Sequence, residues 1–147
     1  MSPTTSRTQR WFNAVARWLL RSPLHRVLSG KVMLIEVTGR RTGRRYVVPI
    51  AYAERDGAVL MGVAKATWLR NLAPHRPVTL TVRGERRVAH PEVITDEDRV
   101  AELYPAILRH NSAHGRIQQL RLEPDGSVNR ADLRAGLDRG LVLVRLT

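Results

Sequence analysis

Cysteine is missing from this sequence. That excludes disulfides and every metal or nucleophilic site built on a thiolate. Aromatic residues make up only 5% of the chain, too few to supply the stacking platforms that a single-strand nucleic-acid groove needs between its cations. Nucleic acid is therefore not an expected partner. No apolar run reaches the roughly 18 residues of a membrane span, and the polar stretch 2–8 leads into no apolar signal core. No Walker loop, GxGxxG, GxSxG or HExxH segment occurs. Acidic residues number 13 and fall mostly in turns and helix starts, with no two carboxylates on one apolar face. His110 and His114 have the i, i+4 spacing of a metal pair, but Gly115 follows and no carboxylate stands at a third position, so no metal is expected. An enzyme built on this chain would take its chemistry from a cofactor.

What the chain has in excess is arginine. Lys31 and Lys65 are the only lysines, yet Lys+Arg total 25 and the net charge is +12. Such a balance raises acidic small molecules, anionic membranes and nucleic acid as partner classes. The 147 residues, 43% of them hydrophobic, suit a single domain, 1–147, with one core.

The charge is densest between two apolar runs, Leu34–Val37 and Tyr46–Ile50. The residues between read as a hairpin turn rich in cations. Gly39 and Gly43 can adopt positive φ and leave N–H groups open. Arg40, Arg41, Arg44 and Arg45 add forked donors suited to phosphate and carboxylate, and Thr42 adds a hydroxyl. The simplest guest is a polyanionic tail, with the rest of the ligand lying along the two strands. Composition alone leaves open a turn that merely faces water.

Taken in order, 6–20 reads as a basic amphipathic helix with Trp11, Val15, Trp18 and Leu19 on one face. Such a helix packs on its own domain or on a partner subunit, or lies on a membrane surface. Strands follow at 31–38 and 45–54, the second holding Pro49, which implies an edge, a bulge or a ligand-facing break. The Asp56–Gly57 turn leads to a third strand at 58–63, giving an antiparallel meander. Thr67 caps a short helix carrying Trp68, Leu69 and Leu72. Strands are expected at 78–83 and 86–93, a helix from Thr95 and Asp98 to about His110, an irregular stretch at 111–129, a short helix at 130–139 and a closing strand at 141–146.

Four pieces taken together, Val37-Thr38-Gly39-Arg40-Arg41-Thr42-Gly43-Arg44, Val48-Pro49-Ile50 with Tyr52, Trp68-Leu69-Arg70-Asn71-Leu72 and Val78-Thr79-Leu80, resemble the deazaflavin-dependent nitroreductase family, known mainly from actinobacteria. The resemblance covers about residues 24–93. It implies a mainly β fold with flanking helices, the split β-barrel of flavin reductases and pyridoxamine-phosphate oxidases. It implies coenzyme F420, an 8-hydroxy-5-deazaflavin with a phosphate and an oligoglutamate tail, and hydride transfer to an activated alkene, quinone or nitroaromatic. Carried over, Arg40, Arg41, Thr42, Gly43 and Arg44 would hold phosphate or tail, and the backbone of Val47, Val48, Pro49 and Ile50 would lie along the ring. Gly62, Val63, Ala64 and Lys65 would face the cofactor, and Trp68 and Asn71 would close the site. Tyr52 is the candidate proton donor, beside Tyr46, Tyr104 or water. The short stretch between Gly62 and Trp68 motivates a second reading, a non-catalytic split-barrel binder of haem or FMN. The resemblance also admits a homodimer. The expected setting is cytoplasmic, with a peripheral membrane contact through 6–20.

Overall fold

The computed structural model describes residues 31–39, 41–64, 67–72 and 76–147, and the side chains of Tyr46, Thr67 and Trp68 are not among what it describes. The expected helix at 6–20, and with it the membrane contact, falls outside these residues. So do Arg40 and Lys65.

Eight strands are described: β1 Val32–Thr38, β2 Arg45–Ala51, β3 Ala53–Arg55, β4 Ala58–Val63, β5 Val78–Val82, β6 Glu85–Ala89, β7 Pro91–Ile94 and β8 Val142–Leu146. They form two antiparallel four-stranded sheets, in the orders β2-β1-β5-β6 and β3-β4-β8-β7. Three helices follow β7 or precede β8: α1 Glu97–His110, α2 Ser112–Gln118 and α3 Arg130–Asp138. A 3-10 helix spans Thr67–Asn71. This is the split-barrel arrangement with helices on one flank.

The period-two pattern of the strands explains the layering. Met33, Ile35 and Val37 of β1, Val59, Met61 and Val63 of β4, and Leu80 and Val82 of β5 fill the space between the sheets. The opposite face of the second sheet packs on the helices. There Leu60 and Leu143 meet Val100, Tyr104, Ile107, Leu108 and Leu133. β4 serves both cores, and all six of its residues are buried. Each large aliphatic side chain so buried contributes about 1.5–3 kcal/mol.

Three expectations are corrected. The run 45–54 is not one strand, so β1, β2 and β4 do not form a meander. The chain leaves the first sheet at Tyr52, whose N–H donates to the Lys31 carbonyl at 3.3 Å, and β3 joins the second sheet. The run 86–93 divides likewise at His90, which exchanges backbone bonds with Thr147 at 2.6 and 3.1 Å. The stretch 111–129 contains α2, nucleated by the Asn111 carboxamide, which accepts from the His114 N–H at 3.3 Å. The helix expected from Thr95 and Asp98 is capped by Asp96, whose carboxylate accepts from the Arg99 N–H at 3.0 Å, a cap worth about 1 kcal/mol. Among the described residues no helix is long and apolar enough to cross a membrane.

Candidate functional site

The basic turn is built as a closed loop at the end of β1. Thr38 pairs with Arg45. Beyond that pair, the Gly39 N–H donates to the Arg44 carbonyl at 2.7 Å and the Gly43 N–H to the Gly39 carbonyl at 2.8 Å. Gly43 takes φ +66° with open space where a Cβ would stand, so the bend suits glycine. Arg41, Thr42, Gly43, Arg44 and Arg45 are all exposed.

Arg41 and Arg44 have no counter-ion among the described residues, and neither have Arg70, Arg76, Arg109 and Arg116. What sets the turn apart is that its two stand three residues apart on one bend. Several guanidiniums in the sheets and helices are paired. Arg83 pairs with Glu54 at 2.9 Å, Arg86 with Glu36 at 3.5 Å, Arg121 with Asp132 at 2.8 Å, and Arg130 with Glu97 and Asp98, each at 2.9 Å. The Gly39 and Gly43 N–H groups, expected to be open, are instead bonded inside the loop; the donors the turn leaves exposed are its guanidiniums.

From the turn runs β2, the outer strand of its sheet. Pro49 is exposed on this edge, opposite Leu34, where its missing N–H costs little. Val48 and Ile50 pack on the core between the sheets, which by strand alternation sends Val47 and Pro49 to the other face. β2 touches β4, and the 3-10 helix touches β1. Val63 of β4, Leu69 of the 3-10 helix and Leu72 just after it join the same core as Val48 and Ile50. Ala64 is exposed and Asn71 half-buried. Most of the described residues expected at the site thus share one region, with the charged turn at the far end of a seven-residue strand, about 20 Å along at strand rise.

Gly62 looks the other way. A Cβ there would collide with the hydroxyl and ring of Tyr104 and would stand 2.9 Å from His114 Nε2. The Tyr104 hydroxyl and His114 Nε2 lie 2.7 Å apart, with the rings stacked at 5.8 Å. Burial pushes the Tyr104 phenol far above its ordinary range and the His114 imidazole below its own. Both groups are therefore neutral, with the phenol donating and Nε2 accepting.

Comparison with known proteins decides between the readings left open by the sequence. Residues 8–123 match the profile of a family described as F420H(2)-dependent quinone reductase. The chain belongs to this F420H2-dependent quinone reductase family. It is an F420H2-dependent oxidoreductase, and coenzyme F420 is its cofactor. No protein of curated function matches it significantly. Among solved structures, it resembles an F420-H2 dependent reductase, FDR-A, at 14% identity and TM-score 0.56, over 80% of this chain and 94% of the other. It also resembles a protein described as a domain-swapped dimer, at 15% identity and TM-score 0.59, over 95% and 98% of the two chains. A FAD-binding protein of Mesorhizobium loti follows at 15% identity and TM-score 0.53, over 85% and 88%. At these identities the structural likenesses speak for the fold, the split barrel.

The reductase's turn fits such a coenzyme on its own chemistry, since an anionic tail would meet two guanidiniums that form no ion pair among the described residues. Tyr52 is placed differently from the turn. It is 1% exposed in the barrel core, at the start of β1 rather than its end. Burial is the main cause raising its pKa; Arg83 hydrogen-bonds the phenol and opposes the rise, and Glu54 adds to it. Its ring tilts against His110 at 5.8 Å. His110 and His114 therefore serve different partners, because α1 ends and α2 begins between them. The Tyr104–His114 pair is the feature that the sequence did not disclose: the two lie ten residues apart on separate helices, and only the fold sets them against Gly62. A crevice among Arg55, Leu60, Arg99, Glu102 and Arg145 lies on the helical flank. Its arginines are engaged, Arg99 with Glu92 at 3.2 Å and Arg55 with the Glu102 carbonyl at 2.8 Å.

Proposed function

We propose that this reductase uses F420H2 to reduce an electron-poor small molecule, an activated alkene, quinone or nitroaromatic, at the open edge of β2. The observation that carries the reading is the pair of arginines, Arg41 and Arg44, with no ion pair among the described residues, at the head of an edge strand. Arg40, Arg41, Thr42, Gly43 and Arg44 hold the phosphate or the acidic tail. The main chain of Val47, Val48, Pro49 and Ile50 lies along the ring, as unpaired edge groups favour. Gly62, Val63, Ala64 and Lys65 form the facing wall, with Trp68 and Asn71 closing it. Bound there, reduced F420 supplies a hydride. The chain's part is to hold the reacting faces together and to admit a proton. Water at the exposed edge is the proton source we favour over Tyr52, whose burial and bond to Arg83 support a packing role.

A homodimer belongs to the same proposal, supported by the likeness to a domain-swapped dimer. So does a cytoplasmic setting, which suits a chain without cysteine.

The test is a titration with oxidised F420 followed by tryptophan fluorescence, paired with menadione reduction by F420H2. Arg41→Ala should weaken binding by about 1–3 kcal/mol, roughly 5- to 150-fold. An unchanged dissociation constant would remove Arg41 from the site.

A further inference from the structure

Gly62 stands where the facing wall of the proposed site meets the helical layer. Its strand neighbours Met61 and Val63 point into the barrel, and β8 flanks it through Leu143. What supports Gly62 from behind is polar: the Tyr104 hydroxyl and His114 Nε2 occupy the space of the missing side chain. An apolar side chain would fill that space equally well for stability, whereas a hydrogen bond also fixes direction. The bond joins α1 to α2 directly beneath β4. Tyr104 is fully buried and His114 is 8% exposed, and the strand they support surfaces two residues beyond Gly62, at Ala64.

We propose that Tyr104 and His114 are positioning residues for the cofactor: their mutual hydrogen bond, pressed against Gly62, sets the height of the 62–64 main chain that faces it. This rests on the site reading given above. A shift of a few tenths of an ångström in a close-packed strand is transmitted rather than absorbed. The pair therefore acts on how well the cofactor seats, and through Gly62 rather than by contact with any reacting atom.

The experiment uses the full chain. Tyr104→Phe removes only the hydroxyl, and His114→Leu replaces the ring and its acceptor by an apolar side chain, while His114→Gln offers an amide oxygen near the position of Nε2. The readouts are the dissociation constant of oxidised F420 by fluorescence, and KM and kcat with F420H2 and menadione. Tyr104→Phe and His114→Leu should raise the F420 dissociation constant and its KM about fivefold or more, with kcat changed less than twofold, and His114→Gln should restore most of the affinity. Should the removal variants bind F420 as wild type does, or His114→Gln fare no better than His114→Leu, the pair is packing alone and the inference falls. Arg41→Ala, run alongside, separates the two readings. If it weakens binding while Tyr104→Phe does not, this inference fails and the site reading stands; if Arg41→Ala has no effect, the fault lies with the site reading.

Discussion

His114 and Tyr104 owe their protonation states to burial, and this sets how the fold answers to pH. The His114 pKa lies below the ordinary imidazole value of 6.5. As pH falls below that value, the unfolded chain takes up a proton that the folded chain refuses, so stability is lost on the acid side. Tyr104 lies above the ordinary 10.0. Above that pH the unfolded chain releases a proton that the folded chain keeps, so stability falls on the alkaline side as well. Melting temperature plotted against pH should therefore drop below about pH 6.5, and His114→Gln should flatten the acid limb. An identical acid limb in that variant would deny His114 the role. At the same scale, the turn arginines were legible as donors from residue type alone, since Gly-Arg-Arg-Thr-Gly-Arg concentrates charge on a bend. Their want of a counter-ion was not legible, because it depends on where Glu36 and Glu54 point in the folded sheets.

The elements divide by whether their boundaries carry a chemical mark. β1, the basic turn, β4 and β8 follow from apolar runs closed by glycine. No glycine or proline stands beside Tyr52, where the chain changes sheet, and so 45–54 reads as an unbroken strand. At His90 the mark is present in Pro91, the first residue of β7, and a single strand over 86–93 passes over it. α2 was hidden because Gly115 and the weak helix formers around it give no amphipathic period. α1 was legible despite Pro105, whose missing N–H leaves the Ala101 carbonyl without its helical donor. In the adjoining turn Arg55 donates to the Glu102 carbonyl at 2.8 Å, tying the β3–β4 hairpin to the helix. Arg55→Ala should cost about 0.5–1.5 kcal/mol in a denaturant titration. A variant as stable as wild type would show that water replaces the guanidinium without loss.

At the level of the molecule, β4 is the shared wall of two cores, with Met61 fully buried on the barrel side and Leu60 on the helical side. Met61→Ala should cost about 2–5 kcal/mol, enough to unfold a marginal domain, and a loss under 1 kcal/mol by chemical denaturation would mean that the barrel core can collapse around the gap. The split barrel was legible through the resemblance of four short motifs, whereas the order of strands in each sheet was not. The overall charge of +12 gains meaning only with the fold, which neutralises many arginines across sheets and helices and leaves Arg41 and Arg44 together on one bend, among those with no ion-pair partner in the described residues. The most direct measurement compares F420 with the deazaflavin riboside that lacks phosphate and glutamates, in wild type and in the double variant Arg41→Ala/Arg44→Ala. If the turn clamps the acidic tail, wild type prefers F420 by at least tenfold, the preference shrinks with added salt, and the double variant binds both ligands alike. A double variant that keeps the wild-type preference for F420 would contradict the clamp.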